Sequence, residues 1–201
     1  MGVMCQHVLL RRYNAFTMPA IVCMLRGVNV GGHNKIKMES LRSLCESLKL
    51  ECSQTYIQSG NVVFRSSEQN FTLLSRRIQD ALEANFGFRP EVILRTASEL
   101  RHVIARNPFA SRHGIEPAKL QVAFLASDPG KAARDNLAKL DTRGEELHAR
   151  GNELYIYYKN GMGKTKLTAV AIDKVLKTPA TSRNWNTVLK LHEMAEALEQ
   201  V

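Results

Sequence analysis

Ile21-Val22-Cys23-Met24-Leu25-Arg26-Gly27-Val28-Asn29-Val30-Gly31-Gly32 decides how the rest of the chain is read. Residues 21–26 alternate little and are nearly all apolar, the pattern of a buried strand. The strand runs into an arginine, a glycine-rich turn and the basic stretch His33-Asn34-Lys35-Ile36-Lys37. Met38, Leu41, Leu44, Cys45 and Leu48 then follow at helical spacing. A strand, a glycine turn and a helix in this order aim backbone N–H groups and cationic side chains at one spot, which suits an anion.

Working outward, residues 55–58 and 62–64 read as strands joined by the hairpin turn Ser59-Gly60-Asn61. Apolar spacing predicts a helix over 71–86, stopped by Gly87, and then a strand over 91–95. The order β-α-β-β-α-β is the ferredoxin-like unit. The second half partly repeats it. A short helix over 100–105 closes at Asn107-Pro108, because the residue before proline avoids helical torsions. A strand over 120–125, a helix from Asp128-Pro129-Gly130 to Leu140, and a hairpin of 146–149 with 154–158 around Gly151-Asn152 follow. Helices over 166–176 and 185–198 complete the chain. The expected fold class is α+β: two ferredoxin-like (α/β-plait) units, a βαββαβ followed by a partial repeat with an extra C-terminal helix. The expected division is an extension over 1–17, a first unit over 18–96 and a second over 97–201. The repeat lies in element order; no repeat is visible residue by residue.

Composition narrows the class. A chain of 201 residues, 44% hydrophobic and 23% charged, is ordinary for a globular protein. Residues 1–17 contain no acidic residue and no clear periodicity, so they read as a disordered extension ahead of a domain that starts at Met18. No apolar run approaches a membrane span, so no membrane partner is expected. Cys5, Cys23, Cys45 and Cys52 form no C-x-x-C pair and no zinc spacing, which points to free thiols and to no metal. The reading of the cysteines as free thiols fits a cytoplasmic location. The net charge of +9 favours phosphorylated ligands, nucleic acid or acidic partners.

Four clusters could carry chemistry. Arg26, Gly27, Asn29, Gly31, Gly32, Lys35 and Lys37 form the first, with His33 as a candidate for general acid–base work. The second is Tyr158-Lys159-Asn160-Gly161-Met162-Gly163-Lys164-Thr165-Lys166. Gly161, Gly163, Lys164 and Lys166 would approach an anion, yet Tyr158 stands where a Walker A loop has its first glycine, so an NTPase is rejected. The third is Thr181-Ser182-Arg183-Asn184-Trp185-Asn186-Thr187, and the fourth is Gln58-Ser59-Gly60-Asn61 at the hairpin, where Asn61 offers a further amide. The asparagines could orient a ligand and Trp185 could stack on a ring; alternatively Asn184 caps a helix and Trp185 anchors a core. No H-E-x-x-H or G-x-S-x-G motif occurs.

In combination, the motifs at 25–32, 55–64, 107–109, 161–167 and 183–187 closely resemble the DUF1697 family, bacterial proteins of unassigned function. The resemblance spans residues 18–198 and implies a two-part α+β architecture with plait-like halves. It implies no catalytic residue and no cofactor, and the 17-residue extension has no counterpart in it. Three functions stay open at this level: a binder of a phosphorylated or polyanionic ligand through the glycine turns, a small-molecule enzyme with a cleft between the units, and a structural or interaction protein. The first two require the glycine turns and Arg183 to converge on one concave site.

Overall fold

The computed structural model describes residues 18–200. The expected disordered extension over 1–17, with Cys5, lies outside the described residues. Β-strand β1 (Ala20–Leu25) is followed by α1 (Met38–Ser47), β2 (Glu51–Tyr56), β3 (Asn61–Arg65), α2 (Phe71–Phe86), β4 (Val92–Thr96) and α3 (Ala97–Ala105). The second half runs β5 (Leu120–Leu125), α4 (Gly130–Ala138), β6 (Glu146–Arg150), β7 (Glu153–Tyr157), α5 (Ala169–Leu176), β8 (Ala180–Asn184) and α6 (Trp185–Glu199). The halves form two four-stranded sheets in the orders β2-β3-β1-β4 and β6-β7-β5-β8. Every pairing is antiparallel. This is the ferredoxin-like order twice over. The first strand of each half lies inside its sheet, which is why β1 is buried along its whole length and reads as an unbroken apolar run.

Three differences from the sequence expectation share a cause. Residues 180–184 form β8, so the second half is a complete βαββαβ rather than a partial one. The segment reads Ala-Thr-Ser-Arg-Asn, and its inward positions are Thr181 and Arg183, so hydrophobicity gives no strand signal there. Residues 166–168 are not helical; α5 starts at Ala169 under the Thr168 N-cap. Helix α3 starts at Ala97, earlier than expected, because Thr96 and Glu99 form a capping box. In each case polar side chains hold backbone that apolar periodicity cannot mark.

The "extra" C-terminal helix also has a counterpart. Helices α3 and α6 each begin directly after the last strand of their half, capped by Thr96 and Asn184. They pack on each other, and α6 also lies against β1 and β3 of the first sheet. Three apolar cores result. One joins the first sheet to α1 and α2 through Ile21, Phe64, Leu74 and Leu82. A second joins the second sheet to α4 and α5 through Leu125, Leu154 and Ile172. The largest lies between the two sheets around α3 and α6, with Val22, Leu100, Phe109, Tyr155 and Trp185. The Tyr155 hydroxyl there donates 2.7 Å to the Val103 carbonyl of α3, so the polar end of a fully buried ring is satisfied. Burial of this central core joins the halves into one body.

Candidate functional site

The pseudo-twofold relation between the halves extends to single atoms. Leu25 ends β1 and Leu125 ends β5; their N–H groups donate to the Gly60 and Asn152 carbonyls at 2.9 and 2.8 Å. Arg95 pairs with Val22 across the first sheet, and Arg183 pairs with Val122 across the second. Each arginine reaches into the other half. Arg183 Nη2 donates to the Leu25 carbonyl at 2.8 Å, and Arg95 Nη2 donates to the Leu125 carbonyl at 2.9 Å. Arg183 Nε donates to Asn61 Oδ1, and Arg95 Nε donates to Glu153 Oε1 at 3.1 Å. Asn61 and Glu153 open β3 and β7 and stand opposite Met24 and Phe124 in the same register.

The two arginines differ in charge balance. Arg95 faces a carboxylate, whereas the acceptors of Arg183 are all neutral. Besides Asn61 these are Thr181 Oγ1, the Ser182 carbonyl, the Leu25 carbonyl and the Ser59 carbonyl, between 2.8 and 3.1 Å. All five guanidinium N–H groups are thereby used. Burial pushes the Arg183 guanidinium down to about 10, still charged at neutral pH. On the other side, burial raises the Glu153 carboxyl even though Arg95 opposes the shift.

A cleft of about 300 Å³ opens beside Arg183 between the halves. Arg26, Gly27 and Val30 line it from the first half; Met162, Thr165, α5 and β8 line it from the second. Its floor is apolar, from Ala123, Leu167, Ile172 and Ala180. Arg26 crosses to α5, where Nη2 meets Asp173 Oδ2 at 2.5 Å, and the two side chains are 38% and 30% exposed. Arg26, Gly27 and Val30 of the first glycine segment, Met162 and Thr165 of the second, and Arg183 thus border one concave cleft.

Not every expected residue lies there. Lys35, Lys37, Lys164 and Lys166 are exposed and do not line the cleft, and neither does His33. Gly31, Gly32 and His33 belong to an exposed turn closed by a Val30–His33 bridge. The amide of Asn29 holds that turn together: it donates to the Ile36 and Gln58 carbonyls and accepts from the Ile36 N–H. Asn61 is fully buried and held by Arg183. Asn184 caps α6 and donates to the Ala118 carbonyl at 2.9 Å. Trp185 is buried in the central core, which is the anchoring alternative, and Asn186 is exposed. Gly161 and Gly163 shape the turn next to Met162 without lining the cleft.

Asp173 and Arg95 were absent from the expected residues. Asp173 had a legible signal, a single acid in the otherwise apolar run Ala-Val-Ala-Ile of α5. Arg95 had none, because its role appears only once the halves are packed. Cys23 and Cys45 are buried in the first core, and burial raises both thiols, Cys45 to about 11, so both stay protonated. Cys52 is exposed and free. Among the described residues no group of His, Cys, Asp and Glu could hold a metal ion, and no helix is long and apolar enough to cross a membrane.

The fold has a solved relative. The conserved bacterial protein SP0830 from Streptococcus pneumoniae superposes with a TM-score of 0.64 at 24% identity, over 88% of this chain and 98% of that one. A comparison with curated proteins finds no match. The profile described as "Protein of unknown function (DUF1697)" matches residues 18–155, so the first sheet, Arg26, Asn61, Arg95, β5 and β6 all lie within it. The chain belongs to the DUF1697 family.

Proposed function

We propose that the cleft between the halves binds a small organic anion with an apolar body. The observation that carries this is the charge count at its wall: two guanidinium groups, Arg26 and the buried Arg183, stand against the single carboxylate of Asp173. A cleft with one excess positive charge and an apolar floor attracts a monoanion, and low-dielectric walls strengthen that attraction. Arg183 acts through its field, since its donors are saturated; Arg26, half exposed, is the group that can donate to a ligand. The volume lies at the small end of ligand pockets, which favours a metabolite over a polymer.

Thermal shift and calorimetry against phosphorylated metabolites, organic carboxylates, nucleotides and oligonucleotides test this reading. A small anion should raise the melting point, and Arg26→Ala should abolish the shift without unfolding the protein. Stabilisation by oligonucleotides alone, falling steeply with salt, would instead favour the exposed lysines as a polyanion surface. No response to any anion would remove the proposal.

A further inference from the structure

We infer that Asp173 is a resident competitor: its carboxylate occupies Arg26 in the unliganded cleft, and the oxyanion of the ligand takes its place. The inference rests on the reading of the cleft as an anion site. Three observations support it.

The Arg26–Asp173 pair spans the cleft, from the loop after β1 to the middle of α5, and both residues line it. The wall therefore already holds an oxyanion on Arg26.

The first half builds the same sheet order around its matching cleft without such a pair. The matching cleft in the first half, about 210 Å³, is lined by Phe71, Ser75, Arg95 and Ala126. Counting from the ends of β1 and β5, Ala126 takes the place of Arg26; the two N–H groups donate to the Pro179 and Glu91 carbonyls, each at 2.9 Å. Counting from the caps Asn70 and Thr168, Ser75 takes the place of Asp173 and Phe71 that of Ala169. Where the pair is missing, a phenyl side chain lines the cleft. Where the pair is present, Ala169 leaves room beside it.

Finally, the exposure of the pair makes it easy to exchange. A partly solvated ion pair adds little to stability, so a ligand can displace it at small cost. With Asp173 turned away, Arg26 gains a free planar donor fork, matched to a carboxylate or phosphoryl group. The apolar body of the ligand would lie over Leu167 and Ile172.

Benzoate, phenyl phosphate and neutral benzyl alcohol serve as probes in calorimetric titrations of the full chain, with Asp173→Asn and Arg26→Gln checked for folding by circular dichroism. Asp173→Asn should bind benzoate or phenyl phosphate about fivefold more tightly than the unaltered chain. Arg26→Gln should bind neither, and the tighter probe identifies the head group. Equal or weaker anion binding by Asp173→Asn would overturn the competitor role while leaving the anion site intact. A matching gain for benzyl alcohol would also overturn it, since a merely loosened cleft would not select charge. Failure of both anions to bind any variant would overturn the anion site and this inference together.

Discussion

Arg95 and Arg183 occupy matching places in matching sheets and tie the same backbone positions, yet only Arg95 was given a carboxylate to face. Both bridge the halves by donating to the end of the partner half's first strand. At Arg95, Glu153 balances the charge, with side chains only 10% and 14% exposed. At Arg183, Asn61 supplies an amide oxygen and no charge. A buried ion pair is costly to assemble, whereas a saturated arginine among neutral acceptors keeps its charge for whatever lies beside it. The neutral brace borders the larger cleft, where the charge can act on a ligand.

The largest effect expected from breaking this comparison is at Arg183. Arg183→Ala leaves the buried Asn61 amide oxygen and the Ser59 carbonyl without this donor and the Leu25 carbonyl with only the 3.4 Å contact from the Thr181 hydroxyl, so chemical denaturation should show a loss of about 3 to 4 kcal/mol. Arg183→Lys keeps the charge but cannot fill five acceptor directions, and should recover less than half of that loss. A loss under about 1 kcal/mol for Arg183→Ala would mean that the halves do not depend on this brace.

Arg95→Ala should cost about 3 kcal/mol at neutral pH for a different reason: it strands the Glu153 carboxylate. The two variants separate with pH. Glu153 is already raised by burial, and loss of Arg95 removes the main opposing influence. A carboxyl raised in the folded state contributes stability that is full below its unfolded value and is lost as pH rises through the folded one. Arg95→Ala should therefore recover toward the unaltered chain as pH falls below neutrality, and Glu153→Gln should rescue it at pH 7. Arg183→Ala has no such carboxylate and should show neither recovery.

These paired roles show how much was legible from sequence and where legibility ended. Strands β1, β5 and β7 and helix α2 follow from apolar patterning, because their buried faces are hydrophobic. Strand β8 did not, because it faces inward with Thr181 and Arg183. The residue-level repeat was hidden by unequal spacing. Leu25 and Leu125 are 100 positions apart, but Arg95 and Arg183 are 88 apart, partly because α2 has 16 residues and α5 only 8. No constant period survives such a difference. The candidate site was half legible: Arg26 and Arg183 stand out as cations beside strands, while the lysines that suggested anion binding are exposed away from the cleft.

A third break addresses the hairpins that present the carbonyls to β1 and β5. Gly60 has φ +71°, and a Cβ there would lie 2.9 Å from Leu25 Cβ and 3.1 Å from Val28 Cβ. Its counterpart Asn152 carries a side chain without this conflict. Gly60→Ala should lower stability by about 2–3 kcal/mol, from backbone strain and from the clash together. Asn152→Ala should stay within about 0.5 kcal/mol, as surface changes do. Equal losses would mean that the second hairpin is as tightly held as the first.

A small stability effect is expected at the pair that distinguishes the two clefts. Converting Arg26 and Asp173 together to Ala and Ser copies the residues of the first-half cleft into the second. Because the pair is partly solvated, the double variant should melt within about 1 kcal/mol of the unaltered chain. Anion binding, by contrast, should disappear, since Arg26 is the donor a ligand can reach. That contrast, an intact fold with an inert cleft, is what a functional pair predicts and a structural one does not. If the double variant unfolds instead, the Arg26–Asp173 pair is a strut between the halves, and the charge asymmetry of the two braces needs a purely structural explanation.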